Sequence, residues 1–177
     1  MRITERIDPR LLALIGIVLL AALSRLLPHP PNVTPIAAMA LFAGAAFADR
    51  RLAFGVPLAA MLLSDLLLGL HATLAFVYAG FVLTVLIGMR LHERRTVMRV
   101  GVAAFAASVL FFLITNFGSW LAHGMYPRTG EGLLMAYTAG LPFFRNSLFG
   151  DLFFTALIFG GFYLIERRFP SLQSRAA

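Results

Sequence analysis

The chain has 177 residues, 60% of them hydrophobic and 13% charged, with a formal net charge of +7. Soluble domains carry about 25% charged residues, so this composition, with a mean hydropathy of +0.85, excludes an ordinary soluble fold and predicts an integral membrane protein. Every Lys-or-Arg position is Arg, and the arginines cluster between apolar runs as a topology signal does, not as a nucleic-acid surface does; the lack of cysteine excludes disulfides, thiolate metal sites and thiol nucleophiles.

Residues 1–10 form a short charged arm ending in Asp8-Pro9, and the apolar run 11–27 gives the first span. A signal peptide would place its cleavage near Ala22 and Ser24. Glu5 and Asp8 are out of place in such a leader and the run continues past Ser24, so an uncleaved helix is expected. Pro28-His29-Pro30-Pro31-Asn32 is a rigid non-helical connector, and Asn32-Val33-Thr34 formally matches a glycosylation acceptor. The second span, 34–48, is at the short limit for crossing a bilayer. Its Ala40, Gly44 and Ala48 recur every four residues and predict close packing on a neighbouring helix.

The third span, 52–70, carries Pro57 and Asp65 and is closed by His71. The fourth, 72–91, has a second stripe of small residues in Gly80, Thr84 and Gly88. After a polar break at Arg90, His92, Glu93, Arg94, Arg95 and Arg99 comes the fifth span, 101–121. Residues 122–146 are mixed in character, with His123, Pro127, Arg128, Gly130, Glu131 and Pro142, and predict an outer loop or lid containing a short interfacial helix over 132–141. The sixth span, 147–165, ends at Glu166-Arg167-Arg168, and 166–177 is a tail. No internal repeat or low-complexity segment interrupts the pattern. The expected fold is all-α: one polytopic integral membrane bundle of six transmembrane helices.

Counting arginines orients the bundle. With the amino terminus inside, Arg2, Arg6, Arg10, Arg50, Arg51, Arg90, Arg94, Arg95, Arg99, Arg167, Arg168 and Arg175 fall on the inner side and Arg25, Arg128 and Arg145 on the outer, twelve against three. This predicts a bacterial inner (plasma) membrane protein, multi-pass, with both termini cytoplasmic. The same orientation gathers the unexplained polar residues at the outer end: Asp65, Asp151, His29, His71, His123, Arg25 and Arg145. Ser147, Asp151 and Thr155 share a helical face at i, i+4 and i+8, and Asn116, Ser119, Trp120 and His123 make a similar stripe, so these faces are expected to line a cup open to the outside.

An ionisable group within a span costs about 2.5–3.5 kcal/mol on insertion scales and marks function by default, which makes Asp65 the leading candidate. The competing reading is a structural ion pair, above all for Asp151 with Arg145 or Arg25. Trp120, Tyr126, Tyr137, Phe143 and Phe144 fit an interfacial aromatic belt. His29, His71 and His123 read as loop residues; no HExxH or other compact ligand spacing points to a metal. The phosphate loop GxxxxGK[ST], GxGxxG and the GxSxG elbow are missing, and Asp65 and His71 do not share a helical face. Neither an enzyme nor a cofactor is expected.

Asn32-x-Thr34-Pro35, Ser64-Asp65 followed by Gly69-x-His71, Thr115-Asn116-Phe117 with Trp120, and Leu141-Pro142-Phe143-Phe144 followed by Gly150-Asp151-Leu152 lie in six short spans. The combination resembles a family of uncharacterised bacterial membrane proteins that is similar to the substrate-binding S components of energy-coupling-factor (ECF) vitamin importers. The resemblance covers about residues 25–165. It implies that a vitamin-like small molecule binds in the outward cup beneath 122–146. The candidate contacts are His29, Asp65, His71, Tyr78, Asn116, Trp120, His123, Arg145 and Asp151. It further implies that the loaded bundle topples in the lipid bilayer against a separate coupling subunit driven by ATPases.

Two departures accompany the resemblance. S-component-like cobalamin transporters ligate cobalt in part through a cysteine, which this chain lacks, although a His can still approach the metal. The Ala-x-x-x-Ala docking pattern of S-component first helices is missing from 11–27, so docking would fall to Ala40, Gly44 and Ala48, or the protein would act alone. Two other classes stay open. One is a membrane-embedded enzyme using Asp65 and Asp151 on a lipid or isoprenoid; the other is a structural or assembly protein packing through its small-residue stripes.

Overall fold

The computed structural model describes residues 8–173. Among these, the chain forms α1 (Pro9–Leu23) with a 3-10 turn at Ser24–Leu26, α2 (Ile36–Ala46), α3 (Arg50–Leu68), α4 (Leu74–Met89), α5 (Val97–His123) and α6 (Gly130–Arg168) with a 3-10 turn at Pro170–Leu172. The segments Pro9–Leu26, Arg50–Leu68, Val97–His123 and Gly130–Arg168 are long and apolar enough to cross a membrane, while Ile36–Ala46 and Leu74–Met89 are apolar but shorter. The protein is an all-α membrane bundle.

Polar residues at the helix starts explain where the elements begin. Asp8, Asp49, Thr96 and Thr129 are N-caps whose side chains accept from the backbone N–H of Arg10, Arg51, Arg99 and Gly132. Each satisfies a donor that has no partner within its helix. α3 and α5 stop at Gly69 and Gly124, whose φ angles of 102° and 66° suit a residue without a Cβ.

The bundle is built around α2. Its sequence IAAMALFAGAA is apolar on every side, and all of Ala37 to Ala46 is buried, as expected for a helix enclosed on all faces. α1, α3, α4, α5 and α6 all pack on it. Small side chains make this possible. A Cβ placed on Gly44 would run into the Val85 carbonyl oxygen, and one on Gly88 into that of Leu41, so the backbones of α2 and α4 touch directly. Higher on α4, Gly80 seats the Phe111 ring of α5, 2.8 Å from where its Cβ would stand. Between them Thr84 is buried, its Oγ1 donating to the Gly80 carbonyl at 2.9 Å.

Ala40, Gly44, Gly80, Thr84 and Gly88 thus serve packing inside the bundle. Ala40 and Gly44 are enclosed and do not present a docking face to another protein, and Ala48 lies beyond the end of α2 and is exposed. α1 is an integral part of the bundle: Leu14, Val18, Ala21 and Ala22 are buried, while Leu12, Leu19, Leu20 and Leu23 are exposed on its other face. Arg10 of α1 pairs with Glu166 of α6 at 2.5 Å and also donates to the Leu172 carbonyl. The described ends of the chain therefore lie together at one end of the bundle.

α6 departs most from expectation. Residues 130–146 and 147–165 form one helix of 39 residues, about 58 Å long at 1.5 Å per residue. No loop or lid spans 122–146 and no separate helix covers 132–141; the non-helical link is 124–129. Pro142 deprives the helix of one N–H donor, but α5 supports this stretch throughout. Tyr137 OH donates to the Leu113 carbonyl at 2.9 Å, and Trp120 Nε1 to that of Pro127 at 2.9 Å. The Phe112 ring lies 5.8 Å from Tyr137 and 4.8 Å from Phe144. Tertiary packing outweighs the local breakers.

The α2–α4 contact gives a direct test. Gly44→Val is expected to destabilise the folded protein by about 1–3 kcal/mol or more through overpacking, read as a lower unfolding temperature in detergent. Gly16→Ala, where an added Cβ meets nothing within 4 Å, is expected to leave that temperature unchanged or slightly raised.

Candidate functional site

Asp65 lies in the last turn of α3 and is 3% exposed. Arg25, in the turn after α1, places Nη2 2.8 Å from Asp65 Oδ1, and Tyr78 of α4 donates from its hydroxyl to Oδ2 at 2.9 Å. Arg25 Nη1 also donates to Ser64 Oγ and approaches Met61 Sδ at 3.2 Å; Ser64 Oγ in turn donates to the Met61 carbonyl at 2.8 Å. Both carboxylate oxygens are thereby satisfied by donors from two other elements. The cluster fastens the end of α1 to α3 and α4 at the end of the bundle away from the termini.

A second carboxylate is buried on α6. Asp151 is 8% exposed and accepts from Ser108 Oγ of α5 at 2.6 Å. The ion pair anticipated for Asp151 with Arg145 or Arg25 does not form: Arg145 is exposed, and Arg25 is held by Asp65. One turn along α6, Thr155 is also buried, and its Oγ1 has no hydrogen-bond partner among the described residues.

The other expected contacts are engaged locally. His29 is exposed with Nδ1 3.2 Å from the Pro30 carbonyl. His71 Nδ1 lies 2.9 Å from Thr73 Oγ1, and His123 Nδ1 lies 3.1 Å from Ser119 Oγ. Asn116 Nδ2 donates to the Phe112 carbonyl at 2.9 Å, and Trp120 is held by Pro127. Of the nine candidates, Asp65 and Tyr78 are joined by a hydrogen bond, and no other hydrogen bond or ion pair links two of them among the described residues. The histidines and Trp120 belong to connections and helix ends, where each finds a nearby partner.

The connector before α2 enters the bundle instead of passing over it. Pro35 is buried, Val33 Cα lies 3.1 Å from where a Cβ of Gly150 would stand, and Asn146 Nδ2 donates to the Pro31 carbonyl at 3.3 Å. The start of α2 has no side-chain cap.

A cavity of about 670 Å³ lies at the opposite end, between the start of α5 and the last part of α6. Val97, Val100, Gly101, Leu152, Thr155, Phe159, Gly160 and Tyr163 line it, with Phe42 of α2 as a further wall and Arg95 and Glu166 at its charged end. Burial and the nearby Arg10 push the Arg95 guanidinium below the usual arginine pKa, with Glu166 opposing them. Arginine nevertheless stays charged at physiological pH. Sequence reasoning counted Arg95 only as a topology signal; the glycines facing each other on α5 and α6 were the available clue to the cavity.

Fold and sites together define a helical membrane protein with polar groups paired between its helices. The chain belongs to DUF6580, a family of unknown function, whose pattern matches residues 5–172. No curated protein and no solved structure matches it.

The Arg25–Asp65 pair makes its own prediction. Arg25→Met strands a buried carboxylate and is expected to cost about 3–5 kcal/mol, whereas Arg25→Met combined with Asp65→Leu recovers most of that loss. Unfolding of the two variants and the wild type in one detergent checks the order.

Proposed function

We propose that the chain is a six-span inner-membrane protein with both termini in the cytoplasm, and that it is the substrate-binding subunit of an importer for a vitamin-like small molecule, of the S-component type. One observation carries the reading. α2 has 11 residues, about 16 Å of helix, against a hydrocarbon core of about 30 Å. The non-helical connector before it must then run at membrane depth, which is tolerated where backbone is buried in protein or lines a polar cavity. Unusually short hydrophobic segments with free half-helix N-termini are the form that transporter sites take.

The uncapped start of α2 offers backbone N–H groups to an anionic or strongly polar group of the ligand. Arg25, Asp65 and Tyr78 supply a charged flank, and Asp151, next to the Gly150 that touches the connector, supplies another. The arginine bias supports the cytoplasmic assignment of the terminal end. Energy would come from a coupling subunit and ATPases on separate chains, since this chain carries no phosphate loop. Asp65 and Asp151 have different partners, which gives catalysis by a shared pair of carboxylates no support. A structural role is the second reading, favoured by an Arg25–Asp65 pair that is complete without any ligand.

Native mass spectrometry of protein purified gently from its host membrane separates the two. The importer reading expects one defined small molecule per chain, lost or much weakened in Asp65→Asn while helix content is retained. If wild type and variant carry lipid adducts alone and the variant shows only a lower unfolding temperature, the structural reading takes its place.

A further inference from the structure

We propose that the groove between α5 and α6 at the terminal end of the bundle is a binding site for one anionic lipid of the adjacent leaflet, with the headgroup on Arg95 and an acyl chain along the apolar wall toward Leu152. The site is separate from the importer reading and stands without it.

The shape of the groove comes from two glycines. Over most of their length α5 and α6 interlock, as where Gly140 seats the Asn116 side chain. Gly101 of α5 and Gly160 of α6 line the cavity, and a Cβ on either meets nothing within 4 Å. Here the helices part. The wall is otherwise apolar, and exposed Val97, Leu152 and Tyr163 leave its side open toward the hydrocarbon. From Glu166 to Leu152 it follows about 20 Å of α6 at 1.5 Å per residue. That runs from the helix end to beyond the middle of one leaflet of a core about 30 Å thick, and an acyl chain can leave past Leu152.

Charge selects the headgroup. Glu166 is neutralised by Arg10, whose guanidinium also bonds the Leu172 carbonyl and lies over the Phe162 ring at 5.4 Å. Arg95 has no ion-pair partner among the described residues, so the mouth keeps a net positive charge. A basic group beside an apolar groove at the membrane surface favours an anionic lipid.

The test titrates delipidated full-length protein in detergent with phosphatidylglycerol, with phosphatidylcholine of the same chains, and with inorganic phosphate, counting bound molecules by native mass spectrometry. One phosphatidylglycerol is expected to bind saturably and several-fold tighter than phosphatidylcholine, whose choline cation offsets the phosphate charge beside Arg95. Arg95→Gln is expected to erase that preference. Gly160→Leu is expected to abolish binding by filling the groove, with Gly101→Leu giving the same block from the facing helix and unchanged unfolding temperatures showing that both still fold. Equal affinity for the two lipids, full phosphatidylglycerol binding by both folded leucine variants, or displacement by inorganic phosphate alone would each overturn the proposal. So would a cross-link from the groove to a second protein chain in native membranes in place of lipid.

Discussion

The contact between α2 and α4 is the constraint on which the rest of the bundle depends. With Gly44 and Gly88 lying against backbone, the two helices approach as closely as chains without side chains permit. Within a bilayer there is little hydrophobic gain in joining two apolar helices, so close packing has to supply the attraction. α2 extends this principle to all its faces: alanines and one glycine make it narrow enough for five other helices to pack around it. Phe42 is its large side chain at the centre, edge-on to Phe159 and Phe162 at 5.3 and 5.2 Å. It anchors α6 to the hub at the level where α5 and α6 separate.

A narrow, short hub leaves both ends of the bundle to be completed by other means. Away from the termini, the proline-rich connector descends toward α2, and the Arg25–Asp65–Tyr78 cluster ties the surrounding elements. Burying such a pair carries a desolvation cost that its geometry and additional hydrogen bonds must offset; here Ser64, Tyr78 and two Arg25 nitrogens provide them. At the terminal end, Arg10 and Glu166 fasten α1 to α6, while Gly101 and Gly160 keep the neighbouring cleft open. One end is tied together by polar bonds, and the other carries a cleft bordered by residues without side chains.

Helix type and number were legible because apolar runs broken by charged clusters are a strong signal, and the predicted spans fall within a few residues of α1 to α5. The small-residue stripes were read correctly as packing, since spacing of four places residues on one helical face. Their partners were invisible: nothing in Gly44 names Gly88. The loop expected over 122–146 failed because Gly130, Pro142 and Asn146 are local breakers, whereas α6 is held helical through that region by side chains of α5 some thirty residues earlier in some cases, as Phe112 is from Phe144. That Asp65 faces the protein interior was also legible. Its partner was not, because Arg25 comes from a turn that a hydropathy pattern extends into the first span.

The pairing of buried carboxylates shows why a common orientation along the membrane normal does not by itself give two residues a common partner. Hydropathy and arginine counts place residues along that normal but say nothing about rotation around the bundle axis. Asp65 turns toward Arg25 and Tyr78, while Asp151 turns toward Ser108 on α5; each is satisfied from a different side. Thr155 shares a helical face with Asp151 and lines the cleft at the terminal end, its enclosed hydroxyl without a partner among the described residues. What distinguishes the groove from a simple gap between helices is the charge at its mouth, where Glu166 is already held by Arg10 and Arg95 has no ion-pair partner among the described residues.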